Sequence, residues 1–276
     1  MGRQGSGLGC DVQPNLHGLV TVDIESALLA LAFFAFCGGL IDAAVGGGGL
    51  VQVPALLHAL PQYSLATVFG TNKLAVLAGN LASIFSYAKR VSIVWWLMIP
   101  TMVSAFAGSF LGAFSVSLIP REVMEYAVFI VLVVMAVYTF AKKDLGRTHA
   151  QVRRSTRAVA WGVFLGALIG FYDGVFGPGS GSLLLFAFVK VFGFDFLNAS
   201  ASAKLVNLAT FCAALLFFIP SGHVLWAIGG LVCLSNMTGA FVGTFLALRY
   251  GSGFIRVFFL ILLVFLIGRM GLSIFA

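Results

Sequence analysis

Gly39-Leu-Ile-Asp42-Ala-Ala-Val-Gly46-Gly47-Gly48-Gly49 returns, in altered form, 131 residues later as Asp173-Gly-Val-Phe-Gly177-Pro178-Gly179-Ser180-Gly181. The offset holds without gaps. Asp42 falls on Asp173, Gly46 on Gly177, Gly48 on Gly179 and Lys73 on Lys204. Farther along, Gly108 and Gly112 fall on Gly239 and Gly243. The chain is a duplication, and its duplicated features include four ionisable side chains set deep in apolar sequence.

Those surroundings settle the class. Of 276 residues, 61% are hydrophobic and 9% charged, and the mean hydropathy is +1.07. Apolar runs follow one another, each long enough to cross a bilayer core of about 30 Å, which takes roughly 20 helical residues. Within lipid the backbone must satisfy its own hydrogen bonds, so runs of this length are helices. The short alternating strands of a membrane β-barrel are absent. The sequence predicts an all-α polytopic membrane protein.

Long spans are expected near 26–45, 66–88, 92–114, 122–141, 158–176, 196–219, 224–247 and 254–274. Short apolar stretches, 50–60 and 182–192, follow the two glycine clusters. They are too brief for ordinary spans and have the look of broken or re-entrant helices. Residues 1–25 form a short polar tail without the apolar stretch of a cleaved signal. Residues 26–141 form the first repeat, 142–157 a basic linker and 158–276 the second repeat.

Loop charge orients the halves. Lys89-Arg90 and the linker (Lys142, Lys143, Arg147, Arg153, Arg154, Arg157) are expected on the cytoplasmic side. If the short stretches carry the chain back across, each half has five segments, and Lys190, Arg249 and Arg256 fall on that side too. Ser221-Gly222-His223, in register with Lys89-Arg90 and its neighbours, then falls outside and has no Lys or Arg. This favours inverted five-plus-five repeats over parallel four-plus-four ones, with both termini periplasmic. The net charge of +7 sits in such loops and does not point to nucleic acid.

Glycine runs break helices, at roughly 1 kcal/mol per residue relative to Ala. A helix restarting after Gly47-Gly48-Gly49 or Gly179-Ser180-Gly181 turns unpaired N–H groups and a positive dipole end toward an anion. Lys73 follows Thr71-Asn72, and Lys204 follows Ser202 with Asn207 one turn on. Ser200, Lys204 and Asn207 share one helix face, as do Lys73 and Asn80. A lysine in mid-membrane costs at least about 2.5 kcal/mol to insert, so it faces a cavity or a partner. Asp42 and Asp173 have three possible roles: pairing with the lysines, capping the broken helices, or carrying a coupling proton. Gly108-xxx-Gly112 and Gly239-xxx-Gly243 read as helix-packing pairs. The cysteines and histidines show no metal-ligand spacing, no nucleophile–base pair stands out, and there is no phosphate-binding loop of the P-loop type. No cofactor and no enzymatic activity are expected.

The motif Gly39–Gly49, with Val53-Pro54 and Gly70-Thr71-Asn72-Lys73, resembles the TauE/SafE family of membrane permeases. Asp173, Gly177-Pro178-Gly179-Ser180-Gly181, Ala203-Lys204 and Asn207 resemble its second repeat. The resemblance spans residues from about 26 to 274. It implies a secondary transporter of the bacterial inner membrane for a small sulfur-containing anion such as sulfite or a sulfonate. A passive small-anion channel is the alternative. The expected partners are the anion, the bilayer and a possible second copy of the chain in a homodimer. The two glycine clusters differ at Gly47 against Pro178 and Gly49 against Ser180, so the half-sites are not chemically identical.

Overall fold

The computed structural model describes residues 16–141 and 154–250, apart from Lys89 and Ser117, and parts of 257–272. Among the described residues there is no strand. The helices are α1 (Leu16–Val45), α2 (Gly48–Ala59), α3 (Leu65–Ala88), α4 (Trp95–Val116), α5 (Arg121–Ala141), α6 (Thr156–Val175), α7 (Ser180–Phe192), α8 (Phe196–Phe218) and α9 (Trp226–Tyr250). Residues 257, 260–262, 264–268 and 271–272 are also helical. Six of these helices are long and apolar enough to cross a membrane, within α1, α3, α4, α6, α8 and α9. The chain is an all-α, multi-pass membrane protein. The expected linker residues 142–153 and about half of the expected span 254–274 lie outside the described residues.

Helix ends follow local chemistry. Ser155 caps α6 by accepting a bond from Ala158 N–H (3.2 Å), and Asp195 caps α8 by accepting one from Asn198 N–H (2.7 Å). Gly193 closes α7 in the left-handed conformation (φ 70°). The breaks before α2 and α7 turn on equivalent glycines, Gly46 (φ 75°) and Gly177 (φ 82°). Both lie where an L side chain is strained, so a glycine is needed in each half. The helices restart at Gly48 and Ser180, two residues before the stretches 50–60 and 182–192 read from the sequence.

Packing crosses between the halves. α1 lies on α9, and in the related position α6 lies on α4. Both contacts depend on the small-residue pairs. A Cβ on Gly239 or Gly243 would strike the carbonyls of Phe36 or Leu40, and one on Gly108 or Gly112 those of Ala167 or Phe171. Without a strong hydrophobic drive between helices in lipid, this backbone approach supplies the van der Waals contact that holds them together.

These contacts also give helix direction. Phe36 and Leu40 step forward with Gly239 and Gly243, so α1 and α9 run parallel. Thr71, Gly79 and Ser83 meet Gly229, Asn236 and Thr244, so α3 runs with them. Across the centre the order reverses. Lys73 lies over the ring of Phe211 while Asn80 donates to the Lys204 carbonyl, so α3 and α8 are antiparallel. Because α1 and α3 point the same way, the segment between them returns the chain. α2 does this by folding back along α1, with Gly48 beside Asp42 and Gln52 beside Gly38. Its 12 residues span about 18 Å, little more than half a bilayer core.

Candidate functional site

The two breaks meet. Ser182 N–H donates to the Gly46 carbonyl (3.0 Å), and Gly49 lies against Pro178. A Cβ on Gly181 would come within 2.6 Å of Gly46 O and 2.9 Å of Asn207 Nδ2. The starts of α2 and α7 thus press together with no side chain between them.

The charged residues close this junction in a crossed pattern. Lys73 Nζ lies 2.9 Å from Asp173 Oδ2 and donates to the Asp173 carbonyl (2.6 Å). Lys204 Nζ lies 3.4 Å from Asp42 Oδ2 and donates to the Asp42 carbonyl (2.9 Å). Each lysine therefore pairs with the aspartate of the other half. Each aspartate also supports the break in its own half: Asp42 Oδ1 accepts from Gly48 N–H (3.4 Å), and Asp173 Oδ1 accepts from Ser180 Oγ–H (2.5 Å). The capping and ion-pair roles coexist in one side chain. The pairs are neutral overall, which is what a low-dielectric interior requires of buried charge.

The two pairs differ in their surroundings. Lys73 and Asp173 are 1% and 0% exposed, and Lys73 also stacks over Phe211 at 4.9 Å. Lys204 instead borders a narrow cavity of about 10 Å³, room for about one water, lined by Asp42, Gly46, Gly181, Ser200 and Asn207 among others. Ser200 Oγ and Asn207 Oδ1, on residues 3% and 2% exposed, have no hydrogen-bond partner. Two orphaned polar atoms on the wall of one cavity, beside an ammonium group, form a polar cradle that lacks its complement.

The residues singled out by sequence fall into two sets. Gly181, Lys204 and Asn207 line the cavity, with Asp42. Gly47 and Gly179 flank the helix starts as N-caps, while Gly48 and Ser180 bond to Asp42 and Asp173. Gly49 packs on Pro178. Thr71 sits elsewhere: its hydroxyl donates to Thr67 O (2.7 Å) and accepts from Leu225 N–H (3.0 Å), tying α3 to the start of α9. Asn72 and Ser202 are buried beside the two lysines in sequence but do not line the cavity. Sequence alone did not single out Tyr87, whose hydroxyl donates to Ala43 O (2.8 Å), or Gln52, whose Oε1 accepts from Asn236 Nδ2 (2.7 Å). Neither residue has a polar counterpart in the other half, so the repeat carried no signal for them.

The family model described as sulfite exporter TauE/SafE matches residues 31–270, taking in both breaks and both ion pairs. The chain belongs to the TauE/SafE family. It is similar to the probable membrane transporter protein ORF9 of a Sinorhizobium species, 36% identical over 85% of this chain and 88% of that one. It is also similar to the probable membrane transporter protein YfcA of Escherichia coli K12, 33% identical over 84% and 86%, and to a Haemophilus influenzae counterpart, 30% identical over 85% and 91%. No solved structure matches. As a TauE/SafE protein the chain is a membrane transporter, and the crossed junction lies at the centre of the matched region.

Proposed function

We propose that the chain is a secondary transporter of the bacterial inner membrane for a small sulfur-containing oxyanion, sulfite or a sulfonate such as sulfoacetate. The substrate is held near mid-membrane where the two broken helices meet. The observation that carries this reading is the cavity at Lys204, with the unpartnered Ser200 hydroxyl and Asn207 amide on its wall. An oxyanion there gains the ammonium of Lys204, the Ser200 hydroxyl and the Asn207 NH2, which an amide can turn toward it. The positive ends of α2 and α7 add to the same field. The family description supplies the sulfur chemistry.

The antiparallel crossing of α3 and α8 supports halves inverted relative to one another in the bilayer. Charge agrees: Arg90, Arg154, Arg157, Lys190 and Arg249 gather at one end, the cytoplasmic one by this reading. Opening toward either side then requires the junction of Gly46 and Gly181 to part.

The test is a thermal-shift screen of purified protein against sulfite, sulfate, thiosulfate, sulfoacetate, taurine and carboxylate analogues. A ligand at 100 times its Kd stabilises by about 2.7 kcal/mol. Stabilisation by a sulfur oxyanion that disappears in Lys204→Ala is expected. Stabilisation by carboxylates alone would overturn the substrate class.

A further inference from the structure

Duplication supplies two symmetry-related places for a ligand, one beside each lysine, but the side chains around them are not alike. Shifted back by 131, Ser200 becomes Phe69, Asn207 becomes Val76 and Gly181 becomes Leu50. All three replacements are buried, and Leu50 and Phe69 belong to the main hydrophobic core. Two hydrogen-bonding groups and a glycine on one side are thus a phenyl ring and two aliphatic chains on the other. Of the residues in register with the cavity lining, Asn72, opposite Ala203, is the single gain of a polar group.

The lysines differ in the same sense. Lys73 is engaged by the Asp173 carboxylate at 2.9 Å, the Asp173 carbonyl at 2.6 Å and the Phe211 ring at 4.9 Å. The ring occupies the position equivalent to Asn80, which binds the backbone of α8 instead. Lys204 has a longer carboxylate contact, 3.4 Å, and opens onto the cavity. Buried polar atoms left unpaired cost about 1–3 kcal/mol each. Ser200 Oγ and Asn207 Oδ1 bear that cost; the Ser200 hydroxyl, and the Asn207 NH2 once the amide turns, can donate to the oxygen atoms of a ligand.

We infer that each chain carries one oxyanion subsite, off the pseudo-two-fold axis, with Ser200 as a ligand-binding residue alongside Lys204 and Asn207, and that Phe69 plugs its symmetry mate. The inference rests on the anion reading above. It goes further in fixing the stoichiometry at one and in separating a substrate-facing ion pair, Lys204–Asp42, from a structural one, Lys73–Asp173.

The experiment compares single cysteines in protein from which Cys10, Cys37, Cys212 and Cys233 have been removed. The probe is the anionic thiol reagent sulfonatoethyl methanethiosulfonate, applied to membrane vesicles. Ser200→Cys is expected to react at least tenfold faster than Phe69→Cys, and Asn207→Cys at least tenfold faster than Val76→Cys, so that one poorly folded variant does not decide the result. Equal rates, a reversed order or no labelling of any position would overturn the inference. In binding measurements with sulfoacetate, Ser200→Val is expected to lose tenfold or more in affinity and Phe69→Leu less than twofold. Preferential labelling at Ser200→Cys, with no sulfur oxyanion bound by the unmodified protein, would sink the proposed substrate class and leave the single subsite standing.

Discussion

Lys73 and Asp173 join opposite halves of the chain through a 2.9 Å ion pair that is wholly buried, and Lys204 and Asp42 repeat the relationship at 3.4 Å beside a cavity. The crossed pairing makes the two breaks interdependent. Neither half can shift its aspartate without disturbing a lysine of the other. It also rests a link between α3 and the α6 break on two side chains whose isolation in an apolar interior is costly.

That cost gives the first prediction. Removing one partner of a buried ion pair leaves the other charge uncompensated and costs about 3–5 kcal/mol, whereas replacing both by apolar residues is often near neutral. Asp173→Asn should therefore lower the thermal stability of purified protein sharply, and Lys73→Met with Asp173→Leu should recover most of it. A double variant as unstable as the single one would show that Asp173 works mainly through Ser180 and the α7 start.

The glycine junction gives the second. Gly181→Ala places a methyl within 2.6 Å of the Gly46 carbonyl, a backbone atom that cannot turn aside. Forcing such a contact costs about 1–3 kcal/mol by overpacking. The variant should lose stability and transport, while Gly230→Ala, with nothing within 4 Å of the added methyl, should match the parent in both. Uptake in vesicles and unfolding in detergent read the two effects separately.

Much of this arrangement was legible in the sequence, and the reasons are physical. The 131-residue offset exposed the two breaks because a run of glycines between apolar helices has few other uses. Short segments near 50–60 and 182–192 followed from length against bilayer thickness, and the helices found there are Gly48–Ala59 and Ser180–Phe192. The cross-pairing of Lys73 with Asp173 was not legible, because spacing along a chain does not say which half a side chain faces. The role of Thr71 in the fold was not legible: a hydroxyl two residues from a buried lysine suggests a ligand, and the structure shows it holding the start of α9. Phe69 gave no signal either, since one phenylalanine among 28 stands out only when set opposite Ser200.

A third prediction concerns the polar pair buried between α2 and α9. Asn236 Nδ2 donates to Gln52 Oε1 (2.7 Å) and to Ala35 O (3.3 Å), joining α1, α2 and α9. Asn236→Leu orphans the glutamine oxygen, at a cost of about 1–3 kcal/mol. Adding Gln52→Leu should restore part of the loss, because two apolar groups leave nothing unpaired. A double-mutant cycle on thermal unfolding measures the coupling, and strict additivity would mean the bond contributes nothing.

Helix direction gives a fourth. α3 and α9 end on the same side, as do the starts of α6 and α8, so Arg90, Arg154, Lys190 and Arg249 share one face. His223 and Glu122 lie at the other. In a background without native cysteines, Arg249→Cys should be blocked by a membrane-impermeant maleimide only in inverted vesicles. His223→Cys should be blocked only in intact cells. The reverse pattern, with Arg249→Cys blocked in intact cells and His223→Cys in inverted vesicles, would refute the return of the chain through α7.

The last prediction separates the two roles of Asp42. Its carboxylate neutralises Lys204, yet it also presents a negative charge to any anion in the cavity. Two charges about 6 Å apart interact by about 2.8 kcal/mol at an effective dielectric constant of 20. Asp42→Asn removes that repulsion, keeps an oxygen that can accept from Gly48 N–H, and frees the ammonium of Lys204. Anion affinity should therefore rise by about tenfold or more. Transport should fall, because the bound anion then replaces the carboxylate as the partner of Lys204 and leaves slowly. Asp173→Asn, at the plugged side, should leave affinity within about threefold. Calorimetric titration with sulfoacetate and counterflow of labelled substrate distinguish the cases. Weaker binding in Asp42→Asn would mean that the carboxylate holds the site together more than it competes for it.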